Sequence, residues 1–194
     1  ISPNNYSARL IKARLLYFLE NNEKSLNEFN DIESYFLNDI LYYKYRASLY
    51  SVVLNDNEKA LLDYNKLIEL APENSDNYYY RGEFYKNYLE DYDKAIVDFS
   101  KGIEINPSDS DLYFERGYSF AELDMQVESI ADYIKCLELD PDYDVATYYN
   151  IAIAYQYTFK DYDKTLEFYT KAIEIDSTYT STFLNRAVLY KEHF

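Results

Sequence analysis

The sequence predicts an all-α fold, a solenoid of stacked antiparallel helix pairs. A small residue recurs every 35 positions, and aromatic residues keep the same step around it. The small residues are Ala47, Gly82, Gly117, Ala152 and Ala187. The aromatic residues four places before them are Tyr43, Tyr78, Tyr113, Tyr148 and Phe183, and those three places after are Tyr50, Tyr85, Phe120, Tyr155 and Tyr190. Self-similarity at this period indicates stacked repeats, and 3 Gly and 4 Pro in 194 residues disfavour tight β-turns.

Each repeat is predicted to be a helical hairpin. In the unit 75–107, Tyr78, Gly82 and Tyr85 share one face of a first helix, and Ala95 and Phe99 share one face of a second. The small residue lets two helix backbones approach closely, while an aromatic ring fills the space beside it. We therefore expect Tyr85 and Phe99 to be buried core residues.

The ends of the helices carry their own signals. Asp91 and Asp161 stand where second helices begin and are predicted to cap free N–H groups. Ser75 and Ser110 are predicted to do the same for first helices. The prolines at 72, 107 and 141 follow the second helices, which they cannot continue.

This unit resembles the tetratricopeptide repeat, a helical hairpin with a small residue and a Tyr on its first helix and Ala, an aromatic, Ala and a closing Pro on its second. The matching second-helix residues are Ala60, Tyr64, Leu67 and Pro72; Ala95, Phe99, Gly102 and Pro107; Ser129, Tyr133, Cys136 and Pro141; and Thr165, Tyr169, Ala172 and Ser177. The resemblance implies a right-handed superhelical solenoid of about five such hairpins plus a C-terminal helix.

The predicted organisation is one array over residues 1–194. The repeats are 39–72, 75–107, 110–141 and 145–177, preceded by a degenerate repeat at 5–37 and followed by a terminal helix at 178–194. That last helix carries much apolar surface, so it either caps the array or packs on sequence outside the chain or on another subunit. The chain begins at Ile1 without Met and ends inside a helical pattern, so we expect a fragment of a longer protein.

Composition limits the function. The chain has 35 acidic and 19 basic residues, a net charge of −16, which disfavours nucleic-acid binding because that requires Lys and Arg on phosphates. No apolar run approaches the ~20 residues that span a bilayer, so membrane insertion is not expected. The absence of a signal-peptide pattern slightly favours the cytoplasm, but the native N-terminus is not visible.

The sequence contains no convincing catalytic, cofactor or metal site. His193 is next to the last residue, and Cys136 falls in the small-residue column of a second helix, where packing explains it. Asp140, Asp142 and Asp144 imitate the start of a calcium loop, but the Gly and Glu that such a loop needs are missing. We expect no enzymatic activity, no cofactor and no metal.

A partner-binding surface is predicted on the first helices, because the resemblance implies that they line the concave groove of the solenoid. Residues just before and after the small residue would face it: Lys44, Tyr45, Tyr79, Tyr80, Glu83, Phe114, Glu115, Tyr118, Tyr149, Asn150, Ile153 and Tyr157. Aromatic rings edged with acids suit a peptide or protein bearing apolar and basic side chains. The alternative is that many of these rings pack against neighbouring helices.

The same resemblance allows one subtype to be tested. Chaperone-binding tetratricopeptide domains hold a partner's C-terminal carboxylates with Lys, Asn and Arg side chains. Here the corresponding positions are Tyr79, Glu83, Glu115, Ala146 and Asn150. Acids stand where cations are needed, so no carboxylate clamp is predicted.

The leading functional hypothesis is therefore a protein–protein interaction scaffold or adaptor. One rival is a structural or assembly subunit that associates through its ends, including its C-terminal helix, or through its convex face. Another rival is a regulatory segment of a larger enzyme.

Overall fold

The structure, a computed structural model, describes residues 3–193 and contains α-helices and no strand within that range. The helices are α1 (Pro3–Phe18), α2 (Asn22–Ile32), α3 (Ile40–Val52), α4 (Asn57–Leu70), α5 (Ser75–Tyr88), α6 (Tyr92–Ile105), α7 (Ser110–Glu122), α8 (Gln126–Leu139), α9 (Val145–Ala154), α10 (Tyr162–Ile175) and α11 (Thr180–His193). A 3₁₀ turn covers Glu33–Tyr35, and a π-helical turn extends α9 over Tyr155–Phe159. The all-α prediction is confirmed.

Consecutive helices pair as hairpins: α1 with α2, α3 with α4, α5 with α6, α7 with α8, and α9 with α10. Helix α11 packs on α10 and has no following helix among the described residues. The chain divides into two compact units, one ending at Ile105 and the other beginning at Asn106. The predicted end positions Ile1 and Phe194 lie outside the described residues.

The first helices α3, α5 and α9 each have two buried faces. One face holds the small residue and packs on the second helix of the same hairpin, as Gly82 does on the ring of Phe99. The other face packs on the preceding hairpin and holds residues five places before and two places after the small residue. In α3, for example, the Tyr42 ring lies 5.5 Å from the Phe29 ring, and in α5 the Phe84 ring lies 5.2 Å from the Tyr64 ring.

This second face corrects one prediction. Phe99 is fully buried as expected, but Tyr85 is half-buried, and the fully buried aromatic ring beside it is Phe84. The reason is that Tyr85 lies at the hairpin edge, where Lys94 Nζ stands 5.3 Å from its ring centroid. In α5 the buried core position is therefore two places after the small residue, not three.

The predicted second-helix caps are confirmed. Asp91 accepts a hydrogen bond from the Lys94 N–H at 3.1 Å, and Asp161 accepts one from the Lys164 N–H at 3.1 Å.

The predicted first-helix caps are wrong by one residue. Asn74 and Asp109 cap α5 and α7, accepting from the N–H groups of Asp76 and Asp111 at 3.0 and 3.1 Å. Ser75 and Ser110 are already the first helical residues of those helices.

An arginine–aspartate pair joins the two helices in three hairpins. Arg46 binds Asp63, Arg81 binds Asp98 and Arg116 binds Asp132, each through Nε and Nη2 to both carboxylate oxygens at 2.6–2.8 Å. All three aspartates are buried. Burial raises the pKa of Asp63 even with the Arg46 guanidinium beside it. Each pair joins the two helices of its hairpin at one register, and the cost of desolvating a buried pair offsets much of its charge attraction.

The other hairpins vary this pair. Lys12 and Glu28 occupy the same positions in the α1–α2 hairpin and form a 2.5 Å ion pair. In the α9–α10 hairpin the same positions hold the apolar residues Ile151 and Phe168 in place of the charged pair.

Candidate functional site: a groove between the first helices α3 and α5

A cavity of about 260 Å³ lies between α3 and α5, within the first compact unit. Its lining residues are Lys44, Ser48, Ser51, Val52, Tyr64, Tyr80, Glu83, Phe84, Asn87 and Tyr88. Phe84 and Tyr64 are buried core rings, whereas Val52 is 56% exposed and Tyr88 39%. We call this feature the α3–α5 groove; it offers an apolar floor with polar groups along it.

Lys44 and Tyr80 line the α3–α5 groove and contact each other. The Lys44 ammonium donates to the Tyr80 hydroxyl and also lies 3.9 Å from the Tyr80 ring centroid. They stand three and two places before the small residues of their repeats. The same two positions meet again in the second unit, where Asn185 Nδ2 donates to Tyr149 Oη at 2.9 Å. Neighbouring first helices are thus joined by a recurring side-chain contact.

Glu83 supplies an acid to the same groove. Its carboxylate accepts from Asn87 Nδ2 at 3.3 Å and lies 3.5 Å from Lys86 Nζ. These are long contacts for charged groups, since strong charge-assisted hydrogen bonds are about 2.7–2.9 Å. Glu83 can therefore exchange them for a cationic or N–H group of a ligand.

Three of the five predicted residues in this unit, Lys44, Tyr80 and Glu83, line the groove. The other two pack elsewhere. Tyr45 of α3 packs against α1, where Arg14 Nη2 donates a hydrogen bond to its hydroxyl at 3.4 Å. Tyr79 packs edge-on against Tyr80 and also lies beside Phe99.

Sequence reasoning missed the groove residues that lie further along each helix. Ser48, Ser51 and Val52 on α3, and Asn87 and Tyr88 on α5, line the groove but were not predicted. They follow from the same register, because side chains four and seven places along a helix share a face. Extending the predicted set toward the C-terminal end of each helix, by two turns in α3, would have included them.

In the second unit the predicted residues are more occupied with internal packing. The Phe114 ring lies between those of Tyr133 and Tyr143, with centroids 5.6 and 5.2 Å away. Glu115 is buried, with 8% of its surface exposed, so it cannot edge a groove as predicted. Tyr118 is half-buried beside them on α7.

The α9 residues divide in the same way. Tyr149 packs between Tyr169 and Tyr179, Asn150 donates to Tyr133 Oη at 3.3 Å, and Ile153 packs on the local core. Tyr157 is the exception, because it is 64% exposed on the π-helical turn.

Cys136 and the acidic residues 140–144 have structural roles. Burial raises the pKa of the Cys136 thiol to about 12, so the reactive thiolate is scarce at neutral pH. Asp144 caps α9, and Asp140 accepts a hydrogen bond from the Asp142 N–H. The acids that resemble the start of a calcium loop therefore stabilise a helix start and a turn. Residues 3–193 contain no group of His, Cys, Asp or Glu arranged to hold a metal. Within the same range, no helix is long and apolar enough to cross a bilayer.

Solved structures share this fold. YrrB, "a TPR protein with an unusual peptide-binding site", is 23% identical, with a TM-score of 0.75 over 92% of this chain and 90% of its own. MamA from Desulfovibrio magneticus RS-1 is 16% identical, with a TM-score of 0.78 over 90% and 96%. PilW, a "type IV pilus biogenesis factor", is 13% identical, with a TM-score of 0.75 over 98% and 91%. No curated protein sequence matches the chain significantly.

A sequence profile described as the tetratricopeptide repeat matches residues 75–109, 110–143 and 145–179, just over half of the chain. Proteins of this family are in general interaction modules rather than enzymes, and they typically bind protein or peptide partners. The repeats and the shared fold therefore support a protein–protein interaction scaffold. The chain belongs to the tetratricopeptide repeat family.

Proposed function

We propose that this protein is an adaptor that binds a peptide segment of a partner protein in the α3–α5 groove. The observation that carries the proposal is the 260 Å³ cavity between the two helices, with an apolar floor and the weakly engaged Glu83 carboxylate. The proposal is supported by YrrB, a protein of the same fold whose structure is described as having a peptide-binding site.

The groove defines the chemistry of the ligand. Phe84, Tyr64 and Val52 suit an apolar anchor side chain, and large rigid rings give contact area at little entropic cost. Glu83 suits a Lys, Arg or N–H donor placed beside that anchor. The net charge of −16 adds a long-range attraction for basic segments.

The test is selection from a random peptide library displayed against the whole chain. Enriched peptides are expected to combine an apolar anchor with a basic residue. Ser48→Trp, which fills the cavity, and Glu83→Gln, which removes the charge, should each weaken binding by about tenfold or more. Glu58→Gln, at an exposed position on α4, is the matched control. Peptides that bind all variants equally would contradict the proposal.

Assembly through the first helix is a second candidate. Ile11, Leu15 and Phe18 are 56%, 56% and 63% exposed and line a shallow depression of about 160 Å³ on α1. Apolar patches of this kind often mark interaction sites. Light scattering over a range of concentrations tests this candidate, and a monomer at every concentration would contradict it.

A further inference from the structure

The α3–α5 groove contains a cation that belongs to the chain itself, Lys44. Its ammonium donates to the Tyr80 hydroxyl and lies 3.9 Å from the centroid of the Tyr80 ring. Both contacts are made with neutral groups. The charge of Lys44 is therefore held by a ring and a hydroxyl, although the same groove is lined by the carboxylate of Glu83.

Several other lysines of the chain stand beside a tyrosine ring and also reach a carboxylate. Lys59 Nζ lies 5.4 Å from the Tyr50 ring centroid and 2.7 Å from an Asp56 carboxylate oxygen. A cation shared between a ring and a carboxylate is thus a repeated feature of this chain. The other examples are Lys94 with Tyr85 and Asp91, and Lys164 with Tyr155 and Asp161.

The α3–α5 groove provides both the ring and the carboxylate, but Lys44 contacts the ring. Tyr80 and Glu83 are three residues apart on α5, so their side chains are neighbours on one face of the helix. The Glu83 carboxylate makes the two long contacts described above, 3.3 Å to Asn87 and 3.5 Å to Lys86. A cation placed between Tyr80 and Glu83 would have both of them as partners.

We propose that Lys44 is a built-in competitor for the cationic side chain of the peptide ligand, and that binding exchanges one cation for the other on Tyr80. This inference rests on the proposed function, because it concerns the same groove and the same basic peptide. The Lys or Arg of the ligand pairs with Glu83 and takes the face of the Tyr80 ring. Lys44, on its flexible four-carbon stem, withdraws toward solvent, because two like charges in one cavity of about 260 Å³ repel each other.

This exchange makes the groove selective for basic ligands. A basic side chain gains the Glu83 carboxylate as it displaces Lys44, which compensates for the lost contact between Lys44 and Tyr80. A neutral side chain gains no such partner. The exchange also lowers the affinity for every ligand, because a ligand binds only the fraction of molecules in which Lys44 has left the Tyr80 ring.

The first test compares the affinity of a library-selected basic peptide for the unaltered chain and for Lys44→Met. Methionine keeps a long, flexible side chain but carries no charge. We expect Lys44→Met to bind the peptide about three- to tenfold more tightly, because the competing cation is gone. Lys101→Met is the matched control, since Lys101 is an exposed residue of α6 and the variant has the same net charge. It should change the affinity by less than about twofold.

The gain in affinity should depend on both partners of the exchanged cation. A peptide whose basic residue is replaced by Gln should bind more weakly, and it should bind no more tightly to Lys44→Met than to the unaltered chain. In a Tyr80→Leu background, where no ring is left to contest, Lys44→Met should add little. Changes that act on one shared contact are not additive.

The second test observes the exchange in the unaltered chain, so it does not depend on the stability of a variant. The Tyr80 ring current should shift the NMR signals of the Lys44 side-chain CH₂ groups in the free protein. Addition of the basic peptide should move these signals to the range of exposed lysines. Signals of Lys44 that stay in place while the peptide fills the groove would overturn the proposal.

The outcomes separate this inference from the proposed function. A peptide whose binding is lost in Ser48→Trp but is unchanged or weaker in Lys44→Met would overturn the role of Lys44 as a competitor, and would leave the groove as the binding site. Weaker binding would show that Lys44 itself holds the ligand. A peptide that binds equally well to Ser48→Trp would instead contradict the proposed function.

Discussion

Phe99 occupies the space where residue 82 would carry a side chain. A Cβ added to Gly82 would lie 2.6 Å from Phe99 Cε1 and 2.9 Å from Cδ1, and Phe99 is fully buried. The small residue that marks the repeat is thus required here by direct contact between the two helices of the hairpin.

Gly82→Ala is therefore expected to destabilise the protein. Helix propensity alone would favour Ala by about 1 kcal/mol, but overpacking a filled core typically costs about 1–3 kcal/mol. We expect a net loss of about 1 kcal/mol in the free energy of unfolding, measured by urea denaturation. Adding Phe99→Leu should recover part of the loss, because it removes the ring atoms in contact. An increase in stability for the single Ala variant would contradict this packing.

The adjacent aromatic residues Phe84 and Tyr85 should respond differently to truncation. Phe84→Ala should cost about 3–5 kcal/mol, the usual range for a buried aromatic residue, because Phe84 is 1% exposed. Tyr85→Ala should cost clearly less, since its ring is half-buried beneath Lys94. Chemical denaturation of both variants measures the difference. A larger loss for Tyr85 would show that the core position has been misassigned.

The Arg81–Asp98 pair should show strong coupling. Asp98→Asn or Arg81→Gln leaves a charge without its main partner in a buried setting, at a cost of about 3–5 kcal/mol. Replacing the pair by Ile and Phe, the residues at the matching positions 151 and 168, should cost much less than the sum of the single changes. A double-mutant cycle from urea unfolding supplies the measurement. Additive losses would mean that the two side chains act independently.

The Asp91 cap should give part of the stability a dependence on acid pH. The Lys94 side chain and its backbone N–H hold the pKa of Asp91 below its ordinary value of 3.8. A lowered folded-state pKa means that the stabilisation is complete above the unfolded value and is lost as pH falls through the folded one. Asp91→Asn keeps a capping oxygen and should flatten this part of the stability profile below pH 3.8. An NMR titration that finds the Asp91 pKa above 3.8 would contradict the sign.

Much of the fold could be predicted from the sequence, because the small residues at 47, 82, 117, 152 and 187 repeat at one step. That step sets the hairpin and its helical faces. Burial at the position two places after the small residue was harder to predict. That position holds the large residues Leu49, Phe84 and Leu189 in some repeats and the smaller Ser119 and Ala154 in others. The residue type at this repeat position therefore varies with the space available between the helices, so it does not by itself predict burial.

The candidate site was less predictable. Arg46, Arg81 and Arg116 each stand directly before a small residue. Their acidic partners Asp63, Asp98 and Asp132 lie 16 or 17 residues away, across the hairpin turn. Whether a given tyrosine faces a groove or a neighbouring helix depends on rotamers and on neighbours. Tyr79 and Tyr80 are adjacent in the sequence, yet Tyr80 borders a cavity and Tyr79 packs beside Phe99, as Tyr149 at the same repeat position packs beside Tyr169.

The most direct test of the account is to map the binding site of a library-selected peptide by amide chemical-shift perturbation in the whole chain. The account predicts that the largest shifts fall on α3 and α5, around Ser48, Glu83 and Asn87, and that they disappear in the Ser48→Trp variant. Shifts confined to the second helices α4 and α6, and unchanged by Ser48→Trp, would contradict it.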